Sequence, residues 1–102
     1  MSDRLKARLL LHRKRAYDDG GILELKLWEV PAPVRGSGHS LKYSLFYGRQ
    51  GVRLVGYDNE SGKGDHRHYS DREEACEWSG PRRLIADFLA DVRRIRGGQG
   101  DE

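Results

Sequence analysis

Apolar and polar residues alternate with a period of two over much of the first sixty positions and switch to helical spacing only near the end. Leu23, Leu25 and Leu27 alternate with Glu24 and Lys26, which predicts a half-buried strand over 22–30. Trp28 and Val30 fall out of that phase and predict a bulge, or burial on both faces, near there. Upstream, Leu9, Leu11, Arg13, Arg15 and Tyr17 fall on one side of a strand over 8–17, and the Asp19-Gly20 step between the two runs is a strong hairpin signal. Pro31 and Pro33 end the second strand, because proline donates no ladder hydrogen bond, and Gly36 to Ser40 reads as a flexible loop. A second hairpin follows, with a strand over 41–47, a turn at Gly48-Arg49-Gln50-Gly51 and a returning strand over 52–58. Ala75 to Trp78 reads as a short edge strand. From Pro81, a first-turn residue, Leu84, Ile85, Phe88, Leu89, Val92 and Ile95 recur at helical spacing and predict a helix over 81–96.

These elements imply an α+β fold, an antiparallel sheet of about four or five strands in two hairpins packed against one C-terminal helix. The helix stripe needs an apolar surface, and one sheet face is the only candidate. The other face is expected to carry Lys26, Lys42, Arg53 and Tyr57 and to be the working surface. The chain reads as a single domain over 1–102, with an ordered core over 8–96 and flexible ends at 1–7 and 97–102.

Composition narrows the class. With 36% hydrophobic against 34% charged residues in 102, the core is thin, and an obligate partner or a homodimer would add stability. The run Leu9-Leu10-Leu11 gives way at once to His12-Arg13-Lys14-Arg15, far short of a membrane span or a signal-peptide core. The expected address is therefore the cytoplasm, with no membrane partner. The lone Cys76, among Glu73, Glu74 and Glu77, forms no internal disulfide and reads as a plain strand residue, since neighbouring carboxylates raise a thiol's pKa. The net charge of +3 is concentrated at the ends: Arg4, Lys6, Arg8, Arg13, Lys14 and Arg15 face only Asp3. Arg82, Arg83, Arg93, Arg94 and Arg96 outnumber Asp87 and Asp91. Basic ends suit a polyanion or an acidic partner protein, and equally suit an ordinary solvated surface.

Chemistry concentrates between Tyr57 and Tyr69, where His66, His68, Lys63, Arg67 and Asp58 crowd around two glycines. If 66–68 is extended, both imidazoles point to one side, with Asp65 and Arg67 opposite. Three readings stand. In the first, one histidine is a general base and the other a general acid, with Lys63 or Arg67 stabilising the charge of a phosphorane-like transition state. That is metal-independent RNA cleavage with the ribose 2′-hydroxyl as nucleophile, and imidazole suits it because it titrates near neutrality. In the second, His66 and His68 bind a metal such as Zn²⁺ with Asp58, Asp65 or His39, although no cysteine pair supports it. In the third, the segment is a charged binding or structural loop held by Asp58 and Asn59 turns. Trp28, Tyr43, Phe46 and Trp78 read as core or sheet-face packing, and Asp87 and Asp91 as helix-surface partners of Arg83 and Arg94.

The run His12 to Arg15, then Tyr17-Asp18-Asp19-Gly20 and Ile22-Leu23-Glu24, resembles the opening of the TumE family of toxin–antitoxin toxins. Tyr57-Asp58-Asn59 followed by Lys63-Gly64-Asp65-His66-Arg67-His68 resembles that family's most distinctive stretch, and the likeness runs from about Leu9 to Ile95. The resemblance implies a toxin encoded beside a small antitoxin, often a helix-turn-helix DNA-binding protein, and favours His66 and His68 over Lys63 and Asp65 as the centre of any chemistry. The expected function is thus an RNA-directed toxin, a metal-independent ribonuclease needing no cofactor. The alternative is a non-catalytic module that binds a partner protein or nucleic acid through the 57–69 loop.

Overall fold

The structure, a computed structural model, describes residues 7–60 and 62–97; the ends expected to be flexible, 1–7 and 97–102, fall almost wholly outside them. The alternating runs form an antiparallel sheet in chain order. Its strands are β1 (Arg8–Ala16), β2 (Gly21–Glu29), β3 (Leu41–Arg49), β4 (Val52–Asp58), β5 (His66–Tyr69) and β6 (Arg72–Ala75), and α1 (Pro81–Ile95) follows. The sheet has six strands where four or five were expected. The third hairpin escapes a periodicity argument because its strands are four residues each, polar and joined only by Ser70-Asp71. The edge strand expected at 75–78 lies earlier, over 72–75.

Register turns the alternation into two faces. Leu25, Leu45 and Tyr57 lie opposite one another across β2, β3 and β4, as do Leu23, Tyr47 and Val55. These side chains are buried under α1, which presses Leu84, Phe88 and Val92 onto them. Phe88 meets the Tyr57 ring edge-on at a centroid distance of 5.4 Å. Ile85 and Leu89 are half-buried, while Ile95 is 45% exposed and lies beyond the buried stripe. The bulge expected near Trp28 sits in the neighbouring strand, between Leu9 and Leu11, so β2 itself keeps its phase.

A second register shift, between Tyr47 and Gly48, corrects the expected composition of the open face. Strict alternation would put Arg53 and Tyr57 on one side. The extra residue in β4 separates them: Arg53 pairs with Gly48 on the open face, and Tyr57 is fully buried beneath the helix. Lys26 and Lys42 do lie on the open face, Lys42 with its ammonium 5.9 Å from the Trp28 ring. The loops before β3 and β5 meet back to back at Gly36 and Gly64. Both have positive φ, and a β-carbon on either would come within 2.7 Å of the other's backbone.

Candidate functional site

Two side chains two apart on a strand share a face, so His66 and His68 both project from β5 onto the side away from α1. Their neighbours follow from the register. His66 lies opposite Asp58 on β4, and His68 lies between Gly56 on β4 and Glu73 on β6. Nε2 of His68 is 3.4 Å from Oδ2 of Asp58 and 3.8 Å from Oε2 of Glu73. Nε2 of His66 is likewise 3.8 Å from that Glu73 oxygen. Nδ1 of His66 is 2.9 Å from the Gly64 carbonyl; a carbonyl only accepts, so Nδ1 donates, and the neutral ring keeps its lone pair on Nε2. The cluster thus holds two largely buried imidazoles with both Nε2 atoms turned to a shared carboxylate, on the sheet face away from α1.

Asp58, His66 and His68 come together, whereas Lys63 and Arg67 do not join them. Lys63 is exposed in the loop before β5. Arg67 points to the helix side, as alternation requires: its guanidinium lies 4.8 Å from the Tyr57 ring centroid and donates to Oδ2 of Asp87 at 3.1 Å. Asp65 and His39, considered as metal ligands, are occupied with each other. Asp65 is buried, accepting from Tyr43 Oη at 2.7 Å and from His39 Nε2 at 3.1 Å, and the His39 ring stacks on Trp78 at 3.7 Å. Nδ1 of His39 accepts from the Leu41 amide at 3.2 Å, which assigns its proton to Nε2. Among the described residues no three of His, Cys, Asp and Glu are arranged to hold a metal ion.

Asn59 is fully buried and structural. Its oxygen accepts from the Tyr43 amide at 3.0 Å and its amide donates to the Leu41 carbonyl at 2.9 Å, which fixes the end of β4 and hence Asp58. Beyond Asn59, a cleft of about 500 Å³ lies between 30–35 and Asn59, Glu60 and Gly62, with Lys42 joining its wall to the open face. Cys76 is half-buried; burial, aided by Asp65 and Glu74, pushes its thiol above the ordinary range although Arg67 works against it.

Two features escaped the sequence reading. Asp91 is no mere surface partner of Arg94: it is 7% exposed and accepts from the Tyr57 and Tyr69 hydroxyls as well as from that guanidinium. Burial alone would raise its carboxyl, but the hydroxyls of Tyr57 and Tyr69 and the charge of Arg94 hold it below the ordinary carboxylate range. Glu73 was the other, visible in the sequence only as one of several acidic residues before Cys76.

The fold and this surface define a small sheet-and-helix protein whose candidate catalytic side chains gather on the face its helix leaves open. Residues 3–96 match the family model described as Toxin TumE, and the chain belongs to the TumE toxin family. No match was found among the curated proteins or the solved structures. No helix among the described residues is long and apolar enough to cross a membrane.

Proposed function

We propose that this toxin acts in the cytoplasm as a metal-independent ribonuclease, restrained by a cognate antitoxin that is a small DNA-binding protein. The observation that supports the chemistry most is the pair of Nε2 atoms, one on His66 and one on His68, turned to the same Glu73 carboxylate on the face away from α1. His66, donating through Nδ1 to Gly64, offers its Nε2 lone pair as the general base and removes the proton of a ribose 2′-hydroxyl. The 2′-oxygen attacks the adjacent phosphorus as the bond to the 5′-oxygen breaks. His68, with Nε2 beside Asp58 and Glu73, gives its proton to the departing 5′-oxygen. The products are a 2′,3′-cyclic phosphate and a 5′-hydroxyl. Lys63, exposed in the loop before β5, adds positive charge for the RNA backbone.

Incubation with single-stranded RNA in excess chelator, followed by end-group analysis, tests this. The expected result is undiminished cleavage leaving cyclic phosphate ends. Activity lost in chelator and restored by Zn²⁺ or Mn²⁺ would make the histidines ligands instead.

The contact of each histidine with a carboxylate also favours a second reading, in which the cluster pins β4, β5 and β6 together and the 57–69 segment is a binding surface. Toxicity that persists when both histidines are replaced would select it.

A further inference from the structure

The open face carries a second built feature beside the histidines. On β3 and β4, two glycines sit diagonally within one patch: Phe46 lies opposite Gly56, and Gly48 opposite Arg53. Each glycine is overlaid by its neighbour on the same strand. A β-carbon at Gly48 would come within 2.7 Å of the Phe46 ring at Cζ, and one at Gly56 within 2.7 Å of Arg53 Cδ and 3.4 Å of its Nη1. Phe46 therefore reaches along β3 over Gly48, and Arg53 along β4 over Gly56. The β4 register shift is what brings Arg53 to this side.

Neither side chain belongs to the buried core. Phe46 is half-exposed and lies outside the buried cluster and the partly buried residues packed on it. Arg53 is exposed and, among the described residues, makes no hydrogen bond or ion pair. The nearby carboxylates Asp58 and Glu73 already engage the histidines. Those two negative charges would repel a phosphate at the cluster unless a cation stood beside it. Gly56 separates Phe46 from His68 in the same cross-strand row, so the patch adjoins the cluster directly.

We infer that Phe46 and Arg53 form a subsite for one unpaired nucleotide of RNA next to the histidine pair, the ring stacking on its base and the guanidinium pairing with its phosphate. Only a single strand presents a bare base face to an aromatic side chain on a sheet surface, so the substrate class is single-stranded RNA. This rests on the ribonuclease reading and adds to it the form of the substrate.

Binding without cleavage separates the two. The probe is a labelled, fully 2′-O-methylated single-stranded oligonucleotide, which has no free 2′-hydroxyl, compared with the matching duplex by anisotropy against the full chain. The single strand should bind at least about tenfold more tightly than the duplex. Phe46→Leu should weaken it roughly 5- to 100-fold, the range of a lost base–aromatic stack, while Phe46→Trp retains it. Arg53→Ala should reduce the salt dependence by about 0.7, the slope of one single-strand phosphate contact. All three variants should melt like the wild type; should Phe46→Leu not fold, Phe46→Trp and Arg53→Ala decide alone. Equal binding of duplex, full affinity in Phe46→Leu, or an unchanged salt slope in Arg53→Ala would overturn the subsite. A chain carrying His66→Ala and His68→Ala should still bind the probe. If the wild type binds the probe as described yet cuts no RNA, the ribonuclease reading fails and the nucleotide site stands.

Discussion

The carboxylate of Asp58 and the imidazole of His68 face each other across β4 and β5, Oδ2 to Nε2 at 3.4 Å, on the side of the sheet that α1 leaves open. Asp58 can hold that orientation because buried Asn59 fixes the strand end behind it. Asp58→Asn keeps the shape and removes the negative charge beside the His68 imidazole. Steady-state kinetics should show kcat for RNA cleavage falling by about 10- to 100-fold with KM little changed. A rise in KM at constant kcat would assign Asp58 to substrate binding instead.

Arg67 and Lys63 should behave differently from each other. Arg67 stacks on Tyr57 and bonds Asp87 across the helix interface. Arg67→Ala should lower stability by about 1–2 kcal/mol, discounted because both side chains are partly exposed, and leave turnover of the folded protein near normal. Lys63→Ala should leave the melting temperature unchanged and weaken RNA binding mildly. Parallel thermal melts and cleavage assays on the two variants check this; a pure turnover defect in Arg67→Ala contradicts the placement.

Asp91 gives the fold a defined acid sensitivity. Its carboxyl in the folded chain is held below the usual range, so its contribution is complete above the unfolded value of about 3.9 and disappears as pH falls through the lower folded value. Asp91→Asn should be less stable near neutrality, by roughly 1–3 kcal/mol for each tyrosine hydroxyl left poorly satisfied. It should also lose the part of the acid slope due to this group. Thermal midpoints between pH 2.5 and 7 decide it, and identical slopes for the two proteins would rule out the assigned role.

Packing predicts a contrast along α1. Phe88 is fully buried against Tyr57, whereas Arg93 is exposed. Phe88→Ala should destabilise by about 3–5 kcal/mol, and Arg93→Ala by less than about 0.5 kcal/mol. Equal denaturation midpoints would mean that the helix presents another face.

The long elements were legible because burial imposes a period. Leu23, Leu25 and Leu27, and Leu84, Phe88 and Val92, announce their faces in sequence, and β1 to β4 and α1 follow with boundaries shifted by one or two residues. The shared face of His66 and His68, with Arg67 opposite, also follows from alternation. The third hairpin was not legible, since His66–Tyr69 and Arg72–Ala75 are paired by register rather than by an apolar pattern. Nor was the face of Tyr57, which depends on one extra residue in β4. Asp91 hid for a related reason: an ionised residue in a helical stripe reads as exposed until its partners, Tyr57 and Tyr69, arrive from strands more than twenty residues away.

The central claim, that the open-face histidines cleave RNA, is met most directly by comparing cleavage of one RNA by the wild type, His66→Ala, His68→Ala and the double variant, each verified as folded. Each single replacement should reduce the rate by about 10²- to 10⁴-fold, and the double variant should be little worse than the poorer single one, because acid and base act in one step. Cleavage that persists at the wild-type rate in the double variant would contradict the account.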